Sequence, residues 1–276
     1  MELSMQEKFE KVRDLRPIDD VFFEVLAANP AVCQEMLRTI MEDHGLIVLD
    51  VIVQNSERNL YGRSVRLDAL CTLGDGSKVN IEVQRSDNDD HLRRARFNAS
   101  SITVRESQAG EDFAEIPELY IIYLSEFDFL KEGKTTYHVD KVIRETGTVV
   151  DDGLHEIFVN TTVDDGTEIA DLMNCFLKKS INNPRFPALS QEVQKLKETD
   201  GGVLAVCDVM KKYEDIARQQ GMQQGMQLGK LDLLRNLMTN LKMTCSQAMD
   251  AAGIPAAERE LYASQIDKGV SGDGSY

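Results

Sequence analysis

The apolar positions along the chain change their spacing several times. In PIDDVFFEVLAANP and AVCQEMLRTIMEDHG they recur every three to four residues, which predicts two helices. The first opens at Pro17 with the capping candidates Asp19 and Asp20 and closes at Asn29-Pro30; the second closes before Gly45. LIVLDVIVQ is β-branched and predicts a strand. SVRLDALCTL and KVNIEVQR predict two more, joined by the turn GDGS with its two glycines. DNDDHLRRARFNASSITVRES returns to helical spacing, with Leu92, Ala95, Ala99 and Ile102 on one side and Asp capping candidates ahead of them. ELYIIYLSEF is a continuous apolar run and predicts a central strand. TTYHVDKVI and HEIFVNTT predict further strands, and EIADLMNCFL a helix.

After Pro187 the pattern becomes almost wholly helical. Residues 188–243 are mostly helix, and 244–268 read as two short helices around GIPAAERE. The expected organisation is a mixed β-sheet core flanked by helices over residues 1–186, followed by a helical extension over 187–276. Within the extension, QQGMQQGMQLGK places Gly221, Gly225 and Gly229 four apart on one helix face. Each glycine costs about 1 kcal/mol of helix propensity against alanine. Two readings stay open: a helix that packs closely on a partner, giving a homo-oligomer, or a weak linker. The glutamines between the glycines exclude the membrane form of this spacing.

Charge changes the picture next. Lys and Arg number 31 and Asp and Glu 47, so the net charge is 31 − 47 = −16. Taken whole, that opposes a general nucleic-acid binder. The distribution is uneven. From Arg63 to Arg105 there are eight basic and six acidic residues, a window of +2 against −18 for the rest. The five cysteines are scattered, with neither a CxxC pair nor a Cys/His cluster, so no disulfide framework or zinc site is implied. No apolar run reaches membrane-span length, and MELSMQEKFEKVRDLR lacks the apolar stretch of a signal peptide. The expected location is the cytoplasm, without a membrane partner.

Candidate chemistry lies on the hairpin. Alternation puts Val65, Leu67, Ala69 and Cys71 on one face of its first strand, and Arg66, Asp68, Leu70 and Thr72 on the other. In its second strand Val79, Ile81 and Val83 oppose Asn80, Glu82 and Gln84. If the glycine turn pairs the strands, Arg66, Asp68, Glu82 and Gln84 fall on one side. Two carboxylates meeting there repel each other unless a cation is present. Mg²⁺ suits such a pair, because it takes oxygen ligands from one or two carboxylates and keeps several waters. The arginines of the following helix can then hold phosphate oxygens. The plainer alternative is a solvated polar strand face with an Asp–Arg pair. His91 reads as a surface residue at a helix start.

RLDALCTLGDGSKVNIEVQ followed by HLRRARFNASSI resembles the PD-(D/E)XK nuclease superfamily, and more closely the PD-(D/E)XK nuclease family transposases, akin to the Rpn-type recombination-promoting nucleases. IDDVFFEVLAANPAVCQEMLRTIM is similar to that group's N-terminal helical motif. The resemblance implies an α/β, restriction-endonuclease-like fold and metal-dependent hydrolysis of DNA phosphodiesters with Mg²⁺ or Mn²⁺. Carried onto this chain, it implies Asp68 and Glu82 as metal ligands, Gln84 at the usual lysine position, and Asp20 at the edge of the site with Glu24 a weaker candidate. Arg66, Arg93, Arg94 and Arg96 are the expected DNA contacts. Two residues depart from the superfamily pattern: Leu67 stands where a proline precedes the first acid, and Gln84 cannot bring a lysine's positive charge. A glutamine can still orient water by hydrogen bonds. The competing expectation is a catalytically weak or inactive module on the same fold that binds nucleic acid or protein.

Overall fold

A computed structural model describes residues 4–58 and 64–270, without the side chains of 54–58, 64–66 and 267–270. Three helices come first: α1 (Met5–Arg13), α2 (Asp20–Ala27) and α3 (Pro30–Ile40). Ser4 and Glu7 form a reciprocal capping box on α1, and the Asn29 side chain caps α3 just ahead of Pro30. Strands β1 (Val48–Arg58), β2 (Ser64–Leu73) and β3 (Lys78–Gln84) precede α4 (His91–Glu106) and β4 (Leu119–Ser125). Then come β5 (Thr136–Val139), β6 (Lys141–Ile143), β7 (Thr148–Val150), β8 (Leu154–Asn160), α5 (Glu168–Phe176), α6 (Pro187–Glu198), α7 (Asp200–Leu241), α8 (Cys245–Ala251) and α9 (Ala256–Val270).

Six strands form one mixed sheet in the order β1-β2-β3-β4-β8-β5. The first three are antiparallel, β3, β4 and β8 are parallel, and β5 returns antiparallel on β8. The β3–α4–β4 crossover is what makes β3 and β4 parallel neighbours.

Strand alternation divides the core by face. Ala69, Cys71, Val79, Ile81, Val83, Ile122, Leu124, Ile157 and Val159 pack with Phe22, Phe23, Leu26, Met36 and Leu37 of α2 and α3. Leu70, Ile121, Tyr123 and Phe158 pack with Ala95, Ala99 and Ile102 of α4 on the other face. Leu67 departs from the predicted alternation by packing with Leu70 in this second cluster. Regular β2–β3 pairing runs from Thr72–Lys78 to Ala69–Ile81. Just past it, the Val83 N–H donates to the Asp68 carboxylate, so Leu67 lies beyond the β2–β3 ladder while still paired with Asn55 of β1.

The compact units divide between Met210 and Lys211, inside α7. The helical region expected from residue 187 onward is therefore shared. Leu189, Val193 and Leu196 of α6 and Val203 and Val206 of α7 are buried in the first unit's core with α2 and α3. Gly202 shows how close that packing is: an added Cβ would stand 2.4 Å from the Lys195 carbonyl oxygen. Helical spacing identifies these residues as helix, but only their burial assigns them to the sheet's core. The second unit has a small core of its own, built on Leu231, Leu234, Met249, Ile254 and Tyr262. Gly221, Gly225 and Gly229 lie within the continuous α7, and an added Cβ meets nothing within 4 Å at any of them. Among the described residues no helix is long and apolar enough to cross a membrane.

Candidate active site

Asp68 and Glu82 stand on neighbouring strands and on the α4 face of the sheet. Each carboxylate reaches the other's strand. Val83 N–H donates to Asp68 Oδ2 at 2.9 Å, and Glu82 Oε1 lies 3.4 Å from the Asp68 backbone nitrogen. The Asn80 amide also donates to Glu82 Oε1, at 3.0 Å. Glu82 is 6% exposed and Asn80 fully buried. Asn80 Oδ1 is buried with no hydrogen-bond partner among the described residues, an arrangement costly unless something else meets it.

The electrostatics follow from that burial. Desolvation raises the Glu82 pKa well above the ordinary carboxylate range, and the Asp68 charge raises it further. The Asn80 amide, the Asp68 backbone N–H and the Arg94 charge oppose the rise without cancelling it. Arg94 sits one turn along α4 from His91. Its Nε is buried with no hydrogen-bond partner among the described residues, and a terminal nitrogen lies 3.6 Å from Asp90 Oδ1.

The other expected site residues disperse. Gln84 turns its amide nitrogen onto the Ser86 carbonyl at 2.7 Å. Arg93 and Arg96 are exposed and line a groove of about 1020 Å³ together with Ser100, Thr103, Leu119 and Glu156. The side chain of Arg66 lies outside the described residues. Asp20 is exposed in the first turn of α2, and Glu24 is buried in the same helix. That helix packs against the sheet face opposite α4. Its neighbour Asp19 makes the arginine contacts. Asp19 lies 3.1 Å from Arg16 and 2.9 Å from Arg85, and both arginines also reach Glu126. This four-residue network closes the end of β3 beside Gln84, whose carbonyl accepts from the Glu126 N–H at 3.0 Å.

His91 corrects the sequence reading. It is 3% exposed, not a surface residue. Phe127, Phe129 and Tyr123 enclose its ring. The helix start was visible in the sequence, but nothing local revealed that two phenylalanines after β4 would cover it.

A second cluster, Glu118, Asp151 and His155, brings one ligand atom from each residue within 4.8 Å of the others. It sits where β4 and β8 begin, away from Asp68 and Glu82, and it is largely exposed.

The mixed sheet, its α4 crossover and a carboxylate pair on adjacent strands define a nuclease-like α/β domain. The family model for PD-(D/E)XK nuclease family transposase matches residues 19–178, and the chain belongs to that family. Neither a curated protein nor a solved structure matches the chain. Membership supports a nuclease-like or recombination-related role and implies nucleic-acid binding; nucleases of this family generally use divalent metals.

Proposed function

We propose that this chain is a divalent-metal-dependent DNA endonuclease centred on Asp68 and Glu82. The carrying observation is the Glu82 carboxylate, buried beside Asp68 and held well above its ordinary pKa. Two acids so placed share a proton or a cation. The donor set fits Mg²⁺ or Mn²⁺, which accept hard oxygen ligands from one or two carboxylates. Bound there, the ion would polarise a phosphoryl oxygen and acidify an attacking water.

The remaining roles belong to the chain's own groups. Arg94 brings a fixed positive charge beside Glu82, where Gln84 offers none, and its partly exposed terminal nitrogens would donate to a phosphate oxygen. Gln84 keeps its side-chain carbonyl as an acceptor for water while Ser86 holds its amide nitrogen. Arg93 and Arg96 face the groove between α4 and the ends of β4, β5 and β8 and would hold more distant DNA phosphates. Asp20 is assigned the edge of the site on the family resemblance alone.

The test is plasmid cleavage with and without Mg²⁺ or Mn²⁺, using wild type, Asp68→Ala and Glu82→Ala. Metal-dependent cleavage lost in both variants is expected. Undiminished cleavage by either variant would remove that residue from the centre. The second reading, an inactive module that retains the ion site, is favoured by the Gln84–Ser86 contact. It predicts Mn²⁺ binding that Glu82→Ala abolishes, without cleavage by the wild type.

A further inference from the structure

His91 is the buried group that this chemistry leaves without a task. Both of its ring nitrogens are engaged: Nε2 lies 3.0 Å from Asp87 Oδ1 and Nδ1 2.9 Å from Tyr123 Oη. Phe127 and Phe129 hold the ring at centroid distances of 4.9 and 5.0 Å. The line therefore runs from an exposed carboxylate, through a clamped imidazole, to a phenol that is fully buried.

The directions of its hydrogen bonds are constrained. An ionised carboxylate only accepts, so Nε2 carries the hydrogen toward Asp87. The hydrogen bond from His91 is the largest cause holding Asp87 below its ordinary pKa, which keeps it ionised. In a neutral ring Nδ1 then accepts the one hydrogen of the Tyr123 phenol. The phenol oxygen is left with lone pairs directed away from His91.

What those lone pairs face follows from the register. Tyr123 on β4 is the in-register partner of Glu82 on β3, and both side chains lie on the α4 face. Burial raises the phenol's pKa; the Arg94 charge lowers it, and those of Glu82, Asp90 and Asp68 raise it, so the group remains a neutral phenol.

We propose that Asp87, His91 and Tyr123 form a positioning line that turns the Tyr123 phenol oxygen, as a hydrogen-bond acceptor, onto water held at the Asp68–Glu82 centre. The inference rests on the nuclease-centre reading and adds a device for orienting water that needs no charge from Gln84. The competing account makes His91 a satisfied core histidine whose bonds only fasten α4 to the sheet.

Calorimetric titration of the full chain with Mn²⁺ separates these accounts, with melting temperature measured alongside. Tyr123→Phe, which removes a single oxygen, should weaken Mn²⁺ binding about three- to tenfold, the worth of one net hydrogen bond. His91→Leu should produce a similar loss, and His91→Gln, which restores an acceptor, should recover most of it. Wild-type Mn²⁺ binding that is unchanged in Tyr123→Phe would overturn the line and leave the centre standing. A wild type that binds no Mn²⁺ would overturn the nuclease-centre reading and this inference with it. Should His91→Leu fail to fold, Tyr123→Phe decides alone.

Discussion

Two groups of carboxylates flank β4, and they differ mainly in their access to water. Asp68 and Glu82 stand beside Tyr123 on the α4 face, where Glu82 is 6% exposed. Glu118, Asp151 and His155 gather where β4 and β8 begin, and the Glu118 side chain is 50% exposed. The second group already satisfies itself. His155 Nε2 lies 2.7 Å from Glu118 Oε2, and the His155 ring stacks on Tyr120 at 4.4 Å. Water screens what charge remains. In the first group Glu82 is shut off from water, and its electrostatic conflict with Asp68 appears as a raised pKa. The presence of acids in a cluster is thus a weaker sign of function than the environment that makes their charge costly.

The largest test of this contrast is Glu82→Gln. It should lower Mn²⁺ affinity and metal-dependent cleavage by more than about a hundredfold, since even outer-shell partners of a metal are worth about ten- to hundredfold. Calorimetry and a plasmid assay measure both. A loss of that size in His155→Ala, with Glu82→Gln unaffected, would invert the comparison.

A pH effect should come next. The folded pKa of Glu82 lies above its unfolded value, so the fold favours the neutral acid. Its contribution to stability is fully present below the unfolded value of about 4.3 and is lost as pH rises through the raised folded value. The ion-free protein should therefore lose melting temperature as pH climbs above that unfolded value. Glu82→Gln should flatten that slope, and Mn²⁺ should oppose it in the wild type. Calorimetric melting across this range is the measurement, and a slope unchanged in Glu82→Gln would contradict the assignment.

Asp68→Asn should have a smaller influence on the same quantity. Removing the neighbouring charge leaves desolvation in place, so the Glu82 pKa should fall only part of the way toward normal. NMR titration of the Glu82 carboxyl carbon would follow it. At the low end, His155→Ala and Glu118→Gln should each change stability by no more than about 1 kcal/mol, as expected of an exposed pair. Chemical denaturation would reveal a larger effect and, with it, a hidden demand at that end of the sheet.

Much of this architecture was legible in the residues. The β2–β3 hairpin, the α4 helix and the apolar run of β4 follow from period and turn chemistry, which act over a few neighbouring positions. The placement of Asn80 and Glu82 opposite Val79, Ile81 and Val83 follows from strand alternation. Alternation failed at Leu67, which lies beyond the β2–β3 ladder, next to the Asp68 carboxylate that takes a β3 backbone donor. The sequence also did not tell Arg93, Arg94 and Arg96 apart. They read as one basic helix, yet Arg94 acts on Glu82 while Arg93 and Arg96 line the groove between α4 and the ends of β4, β5 and β8. Adjacent helix positions point about 100° apart, so only the docking of α4 could say which arginine faces the carboxylates.

The sequence by itself determined α2 to α5 and β1 to β4 with β8, the pairing of Asp68 with Glu82 through a glycine turn, and the family resemblance. These rest on local periodicity and on residues close in the chain. The sequence did not determine α1 or β7, nor the division of TTYHVDKVI between β5 and the separate β6–β7 pair. Only the tertiary structure decided that Glu82 is buried, that Asp19 makes the arginine contacts beside Gln84, and that α6 joins the sheet's core. It alone joined Asp87, His91 and Tyr123 into one hydrogen-bonded line. Each of these depends on groups far apart in sequence, whose desolvation and hydrogen bonding exist only once the chain has closed around them.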